Sequence, residues 1–399
     1  MTLNLDKSAW KRVTLGDVAA ASKERVDPES GEVERYVAGE HMDTDDLEIH
    51  RWGEVGDGYL GPAFHRRFYP GQVLYGSRRT YLRKVAVAEF DGVTANTTFV
   101  VETKDPGRLL QDFLPFVMTS EPFHAFAIKE SKGSVNPYVN WSDIARYEFD
   151  LPPLDQQKRL AGLLWTVERH RRSVALRVSG AKEVLRASLP DLLLQKTTTD
   201  GEQVSIGEVA KVRHGFAFAG EYFSEDPGLP TVVTPGNFVI GGGFRITAPK
   251  TYAGQVDPAY VLEPGDLIVT MTDLSKAGDT LGFSAEVPDD GSVYLHNQRI
   301  GKIIMLDEKR LSARFLAWIL RTAEYRRYIL STAAGSTVRH TSPARIEAFR
   351  LALPPLAAQT HAVATIERIE RTSEAAINEV LASAALTAAL SADIFGGGE

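Results

Sequence analysis

The chain has 399 residues, of which 43% are hydrophobic and 24% charged, and its formal net charge is −7. A single hydrophobic core rarely grows beyond about 250–300 residues, so this length predicts two folded domains. The absence of cysteine excludes disulfides and thiolate zinc sites, and the net negative charge counts mildly against a general affinity for nucleic acid.

Neither end of the sequence predicts a membrane segment. The first ten residues contain Asp6 and Lys7 and no apolar stretch of signal-peptide length. The longest uncharged stretch near the C-terminus, residues 380–392, is too short to cross a bilayer. We therefore expect a cytoplasmic protein.

Charge is unevenly distributed in the first third of the chain. Residues 24–57 are strongly acidic, whereas residues 58–88 carry six basic side chains and no acidic one. The six are Arg66, Arg67, Arg78, Arg79, Arg83 and Lys84. Such segregation is typical of a face that binds a charged partner, in spite of the negative total.

Three segments of the first half recur in the same order in the second half. Residues 13–19 match 204–210, residues 69–75 match 263–269, and residues 133–154 match 335–356. The first pair predicts a short strand with a turn or helical start, and the second predicts a Pro-Gly turn before an apolar strand. In the third pair a Gly-Ser, an isoleucine and a Leu-Pro-Pro-Leu stand at identical spacing. The chain is therefore an internal repeat.

A helical pattern follows each Leu-Pro-Pro-Leu, at residues 155–196 and 357–395, with apolar side chains at three-to-four spacing. The first run carries nine basic and four acidic residues, and the second carries two and five. Opposite net charge favours pairing of the two helices in a coiled coil. Packing of each helix on its own domain is the alternative. Pro190 predicts a kink or a restart in the first helix.

Taken together, these repeats resemble the specificity (S) subunit of type I restriction-modification systems. That family has a Leu-Pro-Pro-Leu-x-x-Gln signature at each junction between a recognition domain and a spacer helix, and here it ends at Gln157 and Gln359. The Gly-Ser pairs and the segments 214–218 and 222–223 add to the likeness. The residue before each final Gln departs from the usual Glu, being Gln156 and Ala358.

The resemblance implies a protein that recognises DNA and has no catalytic site of its own. Each recognition domain would read one half of a bipartite double-stranded target, with the helices setting the gap between the halves. The implied partners are two methyltransferase (modification) subunits, with restriction or translocase subunits as further ones. The chain itself would bind no cofactor or metal, whereas the partner subunits would use S-adenosylmethionine, ATP and Mg²⁺.

The candidate DNA contacts are the side chains that offer donors to base edges or charge to phosphates. In the first domain these are the six basic residues of 58–88, most clearly those that follow an apolar strand at 78–84, and Asn96, Thr97 and Thr98 come after the next strand. A solvated basic turn is the alternative interpretation. The candidates in the second domain are Arg213, His214, Lys276, Asn297, Gln298, Arg299 and Arg339, with His296 and His340 beside them. Because residues 270–276 are much less basic than their counterpart, we expect an asymmetric target.

Three other functions are alternatives to this one. Asn136-Pro-Tyr138 resembles the Asn-Pro-Pro-Tyr motif of adenine methyltransferases, but the second proline and a glycine-rich cofactor turn are missing. A nuclease would need converging carboxylates, and the Glu130, Lys132 and Asp112 set is not repeated in the second half. A protein-interaction scaffold that does not bind DNA remains open, and the salt dependence of DNA binding would distinguish it.

The sequence thus predicts an α/β protein of the α+β type with a pseudo-twofold repeat. Two strand-rich target recognition domains, residues 1–154 and 197–356, are separated and joined by two spacer helices, residues 155–196 and 357–399. The helices are expected to form an antiparallel coiled coil.

Overall fold

The computed structural model describes residues 3–58, 60–194, 202–247 and 250–396, without the side chains of residues 182, 185–192 and 194. The chain divides into two compact units, Met1–Leu176 with Ala376–Glu399, and Arg177–Ala375. This division falls inside both long helices, whereas the predicted domain boundaries keep those helices as separate segments. The predicted boundary between 196 and 197 and the ends of the chain lie outside the described residues.

The described residues of the first unit form ten short strands, four short helices and the start of a long one. The strands are β1 Lys11–Thr14, β2 Ala19–Ala21, β3 Arg35–Val37, β4 Gly53–Glu54, β5 Phe64–Phe68, β6 Val73–Gly76, β7 Val85–Val87, β8 Gly92–Ala95, β9 Thr98–Thr103 and β10 Glu148–Leu151. The helices are α1 Leu15–Val18, α2 Leu114–Met118, α3 Glu121–Lys129, α4 Trp141–Ile144 and the long α5 Leu154–Leu194.

The second unit repeats this plan. Its strands are β11 Glu202–Ser205, β12 Ala210–His214, β13 Phe223–Ser224, β14 Thr231–Val232, β15 Thr251–Tyr252, β16 Val261–Leu262, β17 Leu267–Thr270, β18 Thr272–Asp273, β19 Ser284–Glu286, β20 Tyr294–Leu295, β21 Ile300–Met305, β22 Arg339–His340 and β23 Arg350–Leu353. Its helices are α6 Ile206–Val209, α7 Ala313–Ile319, α8 Ala323–Thr332, α9 Pro343–Glu347 and the long α10 Leu356–Phe395.

The main sheets of the two units have the same strand order. In the first unit the order is β2-β9-β6-β7 and in the second it is β12-β21-β17-β19, with every neighbouring pair antiparallel. A second sheet in each unit contains one parallel pair, β3 with β8 and β14 with β20. The internal repeat predicted from the sequence is therefore present in the fold, and the mixed α+β class is confirmed.

Local sequence explains why the repeated segments fold alike. In the first copy the Thr14 hydroxyl accepts a hydrogen bond from the Asp17 backbone N–H and the Asp17 carboxylate accepts one from the Thr14 N–H, at 3.2 and 3.0 Å. Ser205 and Glu208 form the same capping box in the second copy. These reciprocal caps satisfy N–H groups that a helix start leaves free, so each strand passes directly into a one-turn helix.

The signature glutamines hold the junctions between domain and helix. The Gln157 side-chain oxygen accepts a hydrogen bond from Leu110 N at 2.9 Å, and its nitrogen donates to Arg108 O and Pro152 O, both at 2.8 Å. Gln359 makes the same three bonds in the second unit, to Ser312 N, Arg310 O and Pro354 O, at 2.9, 2.6 and 2.8 Å. Both side chains are fully buried. The amide is required because it alone offers acceptor and donors on one short stem.

Both predicted long helices are present, and the first continues through Pro190 to Leu194 rather than restarting there; residues 195 and 196 lie outside the described residues. Within the first unit the two helices run antiparallel. Leu164 shares the hydrophobic core with Leu390, whereas His170, later on its helix, lies 2.9 Å from Glu379, earlier on the other. Pairing along the remaining length stays a prediction.

One described helix, α10, is long and apolar enough to cross a membrane by length and composition alone, with a mean hydropathy of 1.4 over its most apolar 18-residue window. Such a helix is weak evidence for a membrane span. Its early residue Ile366 lies in the core of the second unit and its late residue Ile394 in the core of the first.

Candidate nucleic-acid interface

Three segments meet where strand β6 ends in the first unit. The Ser77 N–H donates to Thr97 O at 2.9 Å, and the Val139 N–H donates to Ser77 O at 3.0 Å. The strand end is therefore held between the turn that precedes β9 and a hairpin after α3. We call residues 77–79, 96–97 and 133–138 the first strand-end surface.

The second unit builds the same junction from unrelated side chains. The Met271 N–H donates to Arg299 O at 2.8 Å, and the Thr341 N–H donates to Met271 O at 2.9 Å. Thr272 then pairs with His340 across two short strands. Residues 271–273, 297–299 and 335–340 form the second strand-end surface, and its turn and hairpin follow those of the first by 202 positions.

The repeated Gly-Ser shapes the hairpin in both units. Gly133 and Gly335 have φ of +92° and +89°, in the left-handed region that favours glycine. A Cβ at Gly335 would lie 2.0 Å from Val338 O, so no other residue fits that turn. The hairpins are closed by reciprocal backbone bonds, Lys132 with Tyr138 and Ala334 with His340.

Two arginines dominate the first surface. Arg78 and Arg79 are both exposed, and the Arg79 guanidinium donates to the Asn136 side-chain oxygen at 2.8 Å. Among the described residues the Arg78 guanidinium has no hydrogen bond or ion pair, so its planar fork is available to a ligand. Tyr138 is 43% exposed and pairs with Arg78 through the backbone. This surface thus offers cationic, amide and aromatic groups side by side.

The other four basic candidates of the first unit are engaged internally. Arg66 donates to Thr98 O at 2.8 Å, and burial, then the charge of Arg25, lowers its pKa. Arg67 pairs with Glu32 at 2.8 Å. The remaining contacts join Arg83 to Asp45 and Glu121, and Lys84 to Gly39 O. Each of these side chains is only partly exposed.

The second surface carries different chemistry at the matching positions. Thr272 and Asp273 stand where the first unit has Arg78 and Arg79. Burial acts to raise the pKa of Asp273, but hydrogen bonds from Thr280 and Ser275 outweigh it and hold the pKa below its usual value. The Asp273 carboxylate is therefore bonded within its own loop and does not pair with the exposed Lys276 nearby.

The exposed donors of the second surface lie on the turn before β21. Gln298 and Arg299 are exposed, whereas Asn297 is 7% exposed and its side-chain oxygen accepts a hydrogen bond from Arg299 N at 2.9 Å. His296 is fully buried and contacts Ile300 O at 2.9 Å, and burial lowers its pKa to about 4. The structure therefore places Asn297 and His296 as supports and Gln298 with Arg299 as presented groups.

The remaining candidates lie beside this surface. Arg213 and His214 are exposed at the end of β12, and the Arg213 guanidinium donates to Ala259 O at 2.8 Å. Arg339 is partly exposed and donates to Leu330 O at 3.2 Å. Of the predicted residues, Arg78 and Arg79 lie on the first strand-end surface, and Gln298 and Arg299 are presented on the second. Arg339 belongs to the hairpin of the second surface, but its guanidinium is bonded to Leu330 O.

Sequence analysis missed the role of the Gly-Ser hairpin in the first unit. Tyr138 was considered only as part of a methyltransferase motif, and Tyr81, 51% exposed, was not considered. The constant offset of 202 residues between the two hairpins was the usable signal. By this offset Tyr138 corresponds to His340, and Asn136 corresponds to Val338. A candidate residue in one unit therefore identifies the equivalent position in the other.

Comparison with known proteins finds a matching domain and partial relatives among specificity subunits. Residues 199–383 match the type I restriction modification DNA specificity domain. The type I restriction enzyme EcoDI specificity subunit of Escherichia coli is 30% identical over 93 residues, 23% of this chain and 20% of that protein. The EcoBI specificity subunit of Escherichia coli is 30% identical over 182 residues, 45% of this chain and 34% of that protein. These alignments span about a third or less of either relative.

Solved structures share the fold over the whole chain. The type I restriction-modification S subunit from M. genitalium has a TM-score of 0.63 at 12% identity, with both chains fully covered. A chain from a study of complex assembly and conformational transition of the type I R-M system has a TM-score of 0.58 at 18% identity, with 98% of each chain covered. The matched domain lies mostly within the second unit, and the first unit repeats its fold. Residues 199–383 therefore carry a type I specificity domain, and the whole chain is similar in fold to type I restriction-modification specificity subunits.

Proposed function

We propose that this chain is the sequence-specific DNA recognition subunit of a type I restriction-modification complex. The observation that carries the proposal is the pair of strand-end surfaces. One backbone scaffold, with matched hydrogen bonds at Ser77 and Met271, presents different side chains in the two units. A scaffold that is repeated while its exposed groups diverge suits two readers of different half-sites, and the target is then bipartite and asymmetric.

Recognition needs two kinds of contact. Basic groups neutralise phosphates and supply affinity, while planar donors distinguish base edges in the major groove. In the first unit Arg78 and Arg79 provide guanidinium forks, which pair with guanine. In the second unit Gln298 provides an amide suited to adenine, and Arg299 provides a further fork. The two half-sites would therefore differ in their guanine and adenine content.

The chain acts on DNA only by positioning partner enzymes. Two methyltransferase subunits, with restriction or translocase subunits as further partners, would dock on it and carry out the chemistry. S-adenosylmethionine, ATP and Mg²⁺ would be bound by those partners and not by this chain. This assignment also implies a cytoplasmic location, where the DNA is.

A methylome comparison tests the proposal. Cells expressing the chain with its neighbouring methyltransferase are compared with cells that lack only this chain. A bipartite, asymmetric methylated motif that disappears without the chain is the expected result. Methylation that is unchanged by its loss would contradict the proposal and favour the protein-interaction scaffold, which should also show no steep salt dependence of DNA binding.

A further inference from the structure

An exposed aromatic ring stands directly beside the second strand-end surface. Phe216 is 44% exposed, although phenylalanine is normally buried. Its N–H donates to His296 O at 2.7 Å, and its own carbonyl accepts a hydrogen bond from Gln298 N at 3.0 Å. The backbone of Phe216 is thus clamped to the turn that presents Gln298 and Arg299.

A single exposed apolar side chain is common and usually needs no explanation. Here the preceding residue shows that the position is specified. A Cβ at Gly215 would lie 2.3 Å from Asn297 O and 2.4 Å from His296 O, so only glycine lets the chain approach the turn this closely. Glycine loses more conformational entropy on folding than any other residue, and here it allows the close approach that fixes the backbone of Phe216.

The ring itself is braced from one side. Its centroid lies 5.3 Å from that of Phe218 in an edge-on arrangement and 5.1 Å from that of Tyr260. Phe218 is buried and packs in turn on Tyr252 at 4.8 Å. A ring backed by a fixed aromatic cluster loses little freedom when a ligand covers its open face.

The charges around the ring indicate what that ligand is. Arg299 and Gln298 lie on the clamped turn, and Arg213, anchored at Ala259 O, stands next to Tyr260 in the chain fold. An apolar ring among guanidinium and amide donors matches a nucleic acid, whose stacked bases lie between two rows of phosphates. It does not match an apolar protein partner, which would leave these donors unpaired.

The first unit has no ring at this position. The matching segments 13–19 and 204–210 are 191 residues apart, which places Arg25 at the position of Phe216. The corresponding hydrogen bond from Asn96 N, at 2.9 Å, goes to Ala63 O before β5, so neither residue supplies a ring. The feature is therefore an asymmetry between the two readers and not a requirement of the shared scaffold.

We infer that Phe216 is a wedge that inserts at a base step of the half-site read by the second unit and partly unstacks it. Apolar side chains used in this way kink duplex DNA, and the deformation is easiest at flexible pyrimidine–purine steps. Phe216 would thus add a preference for deformability to the base contacts of Gln298 and Arg299. This inference rests on the proposed function.

The test uses the full chain in complex with its methyltransferase. The probe is a duplex that carries the motif found in the methylome, with 2-aminopurine placed in turn at each position except the methylated base. The wild-type complex should raise the fluorescence at one step of one half-site. Phe216→Ala should abolish that rise and weaken binding by about tenfold to a hundredfold, the usual range for losing one stacked base. Phe216→Leu, which keeps an apolar wedge, should retain part of both effects.

Phe223→Ala is the matched control, because Phe223 is 39% exposed in the same unit but lies outside the turn, with its ring 5.8 Å from Tyr252. It should leave the fluorescence rise intact. A rise that persists in Phe216→Ala, or that no position shows with the wild-type complex bound, would overturn the wedge and leave the recognition function standing. A wild-type complex that does not bind the duplex would instead refute the proposed function itself.

Discussion

The two strand-end surfaces share a backbone and differ in almost everything that they present. At the end of β6 the first unit places Arg78 and Arg79, whereas the end of β17 in the second unit leads into Thr272 and Asp273. The second unit instead exposes Gln298 and Arg299 on the adjacent turn, at the positions equivalent to Asn96 and Thr97 of the first. The comparison teaches that the same backbone hydrogen bonds can hold different side chains at matching positions of the two units.

The largest effect is expected where the units are alike. Gln157→Ala would leave three backbone groups without partners, because Leu110 N, Arg108 O and Pro152 O all bond to that amide. We expect a loss of about 3 kcal/mol in the free energy of unfolding, measured by urea denaturation. Gln359→Ala should cost a similar amount. The exposed Gln203→Ala serves as the control, and equal stability of all three variants would show that the junction bonds are not needed.

A smaller effect should appear in acid. Burial lowers the pKa of His296 to about 4, and burial followed by the charge of Arg83 lowers that of His124 to about 4. The unfolded imidazole titrates near 6.5, so between these values the unfolded state binds more protons. Stability should be complete above about pH 6.5 and decline as pH falls to about 4, by on the order of 2 kcal/mol for each histidine.

Urea denaturation across this pH range measures the decline. His296→Gln should remove the part that belongs to the second unit, whereas the exposed His361→Gln should leave the profile unchanged. A His296→Gln profile identical to that of the wild type would show that this imidazole is not held neutral in the fold.

The next effect separates the two surfaces. Arg78→Ala should weaken binding to the methylated motif by about tenfold, since a guanidinium on a base edge contributes about 1–3 kcal/mol. The variant should also discriminate less well against altered bases, but only in one half-site. Fluorescence anisotropy with duplexes altered in either half measures both the affinity and the discrimination. Arg12→Ala is the control, because Arg12 is exposed but pairs with Glu148 and Asp150 at 3.3 Å. Equal weakening by both variants would point to general electrostatics.

The smallest effect is expected from the basic residues that the fold engages internally. Arg83→Ala removes ion pairs with Asp45 and Glu121, which are largely solvent-facing. Such pairs contribute less than about 1 kcal/mol, so thermal unfolding should shift only slightly. DNA affinity should remain within about twofold of the wild type, and a tenfold loss would return Arg83 to the reading surface.

Much of the fold was predictable because it depends on short-range signals that occur twice. The Pro-Pro starts of α5 and α10, the capping boxes and the Pro-Gly turns all follow from neighbouring residues. The signature Gln was recognisable as a motif, but two of its three bonds reach residues 47 and 49 positions away and were not predictable from spacing. The continuity of α5 through Pro190 also differed from the expectation of a restart.

The residue types of the candidate site were predictable, but which of those residues are exposed was not. Residues 58–88 were correctly recognised as basic, yet which guanidinium stays exposed depends on distant carboxylates such as Glu32 and Asp45. The amide of Asn297 looked as suitable as that of Gln298, and only the local bond to Arg299 N distinguishes them. Pairing of residues far apart in the chain decides these cases, and no local pattern encodes it.

The most direct test of the central claim is the methylome of cells that carry Arg78→Lys with Arg79→Lys. Lysine keeps the positive charges for phosphates but lacks the planar fork that reads a base edge. Our account predicts that methylation persists with relaxed base preference in one half of the motif and an unchanged second half. A motif identical to that of the wild type in both halves would show that the first strand-end surface does not read DNA.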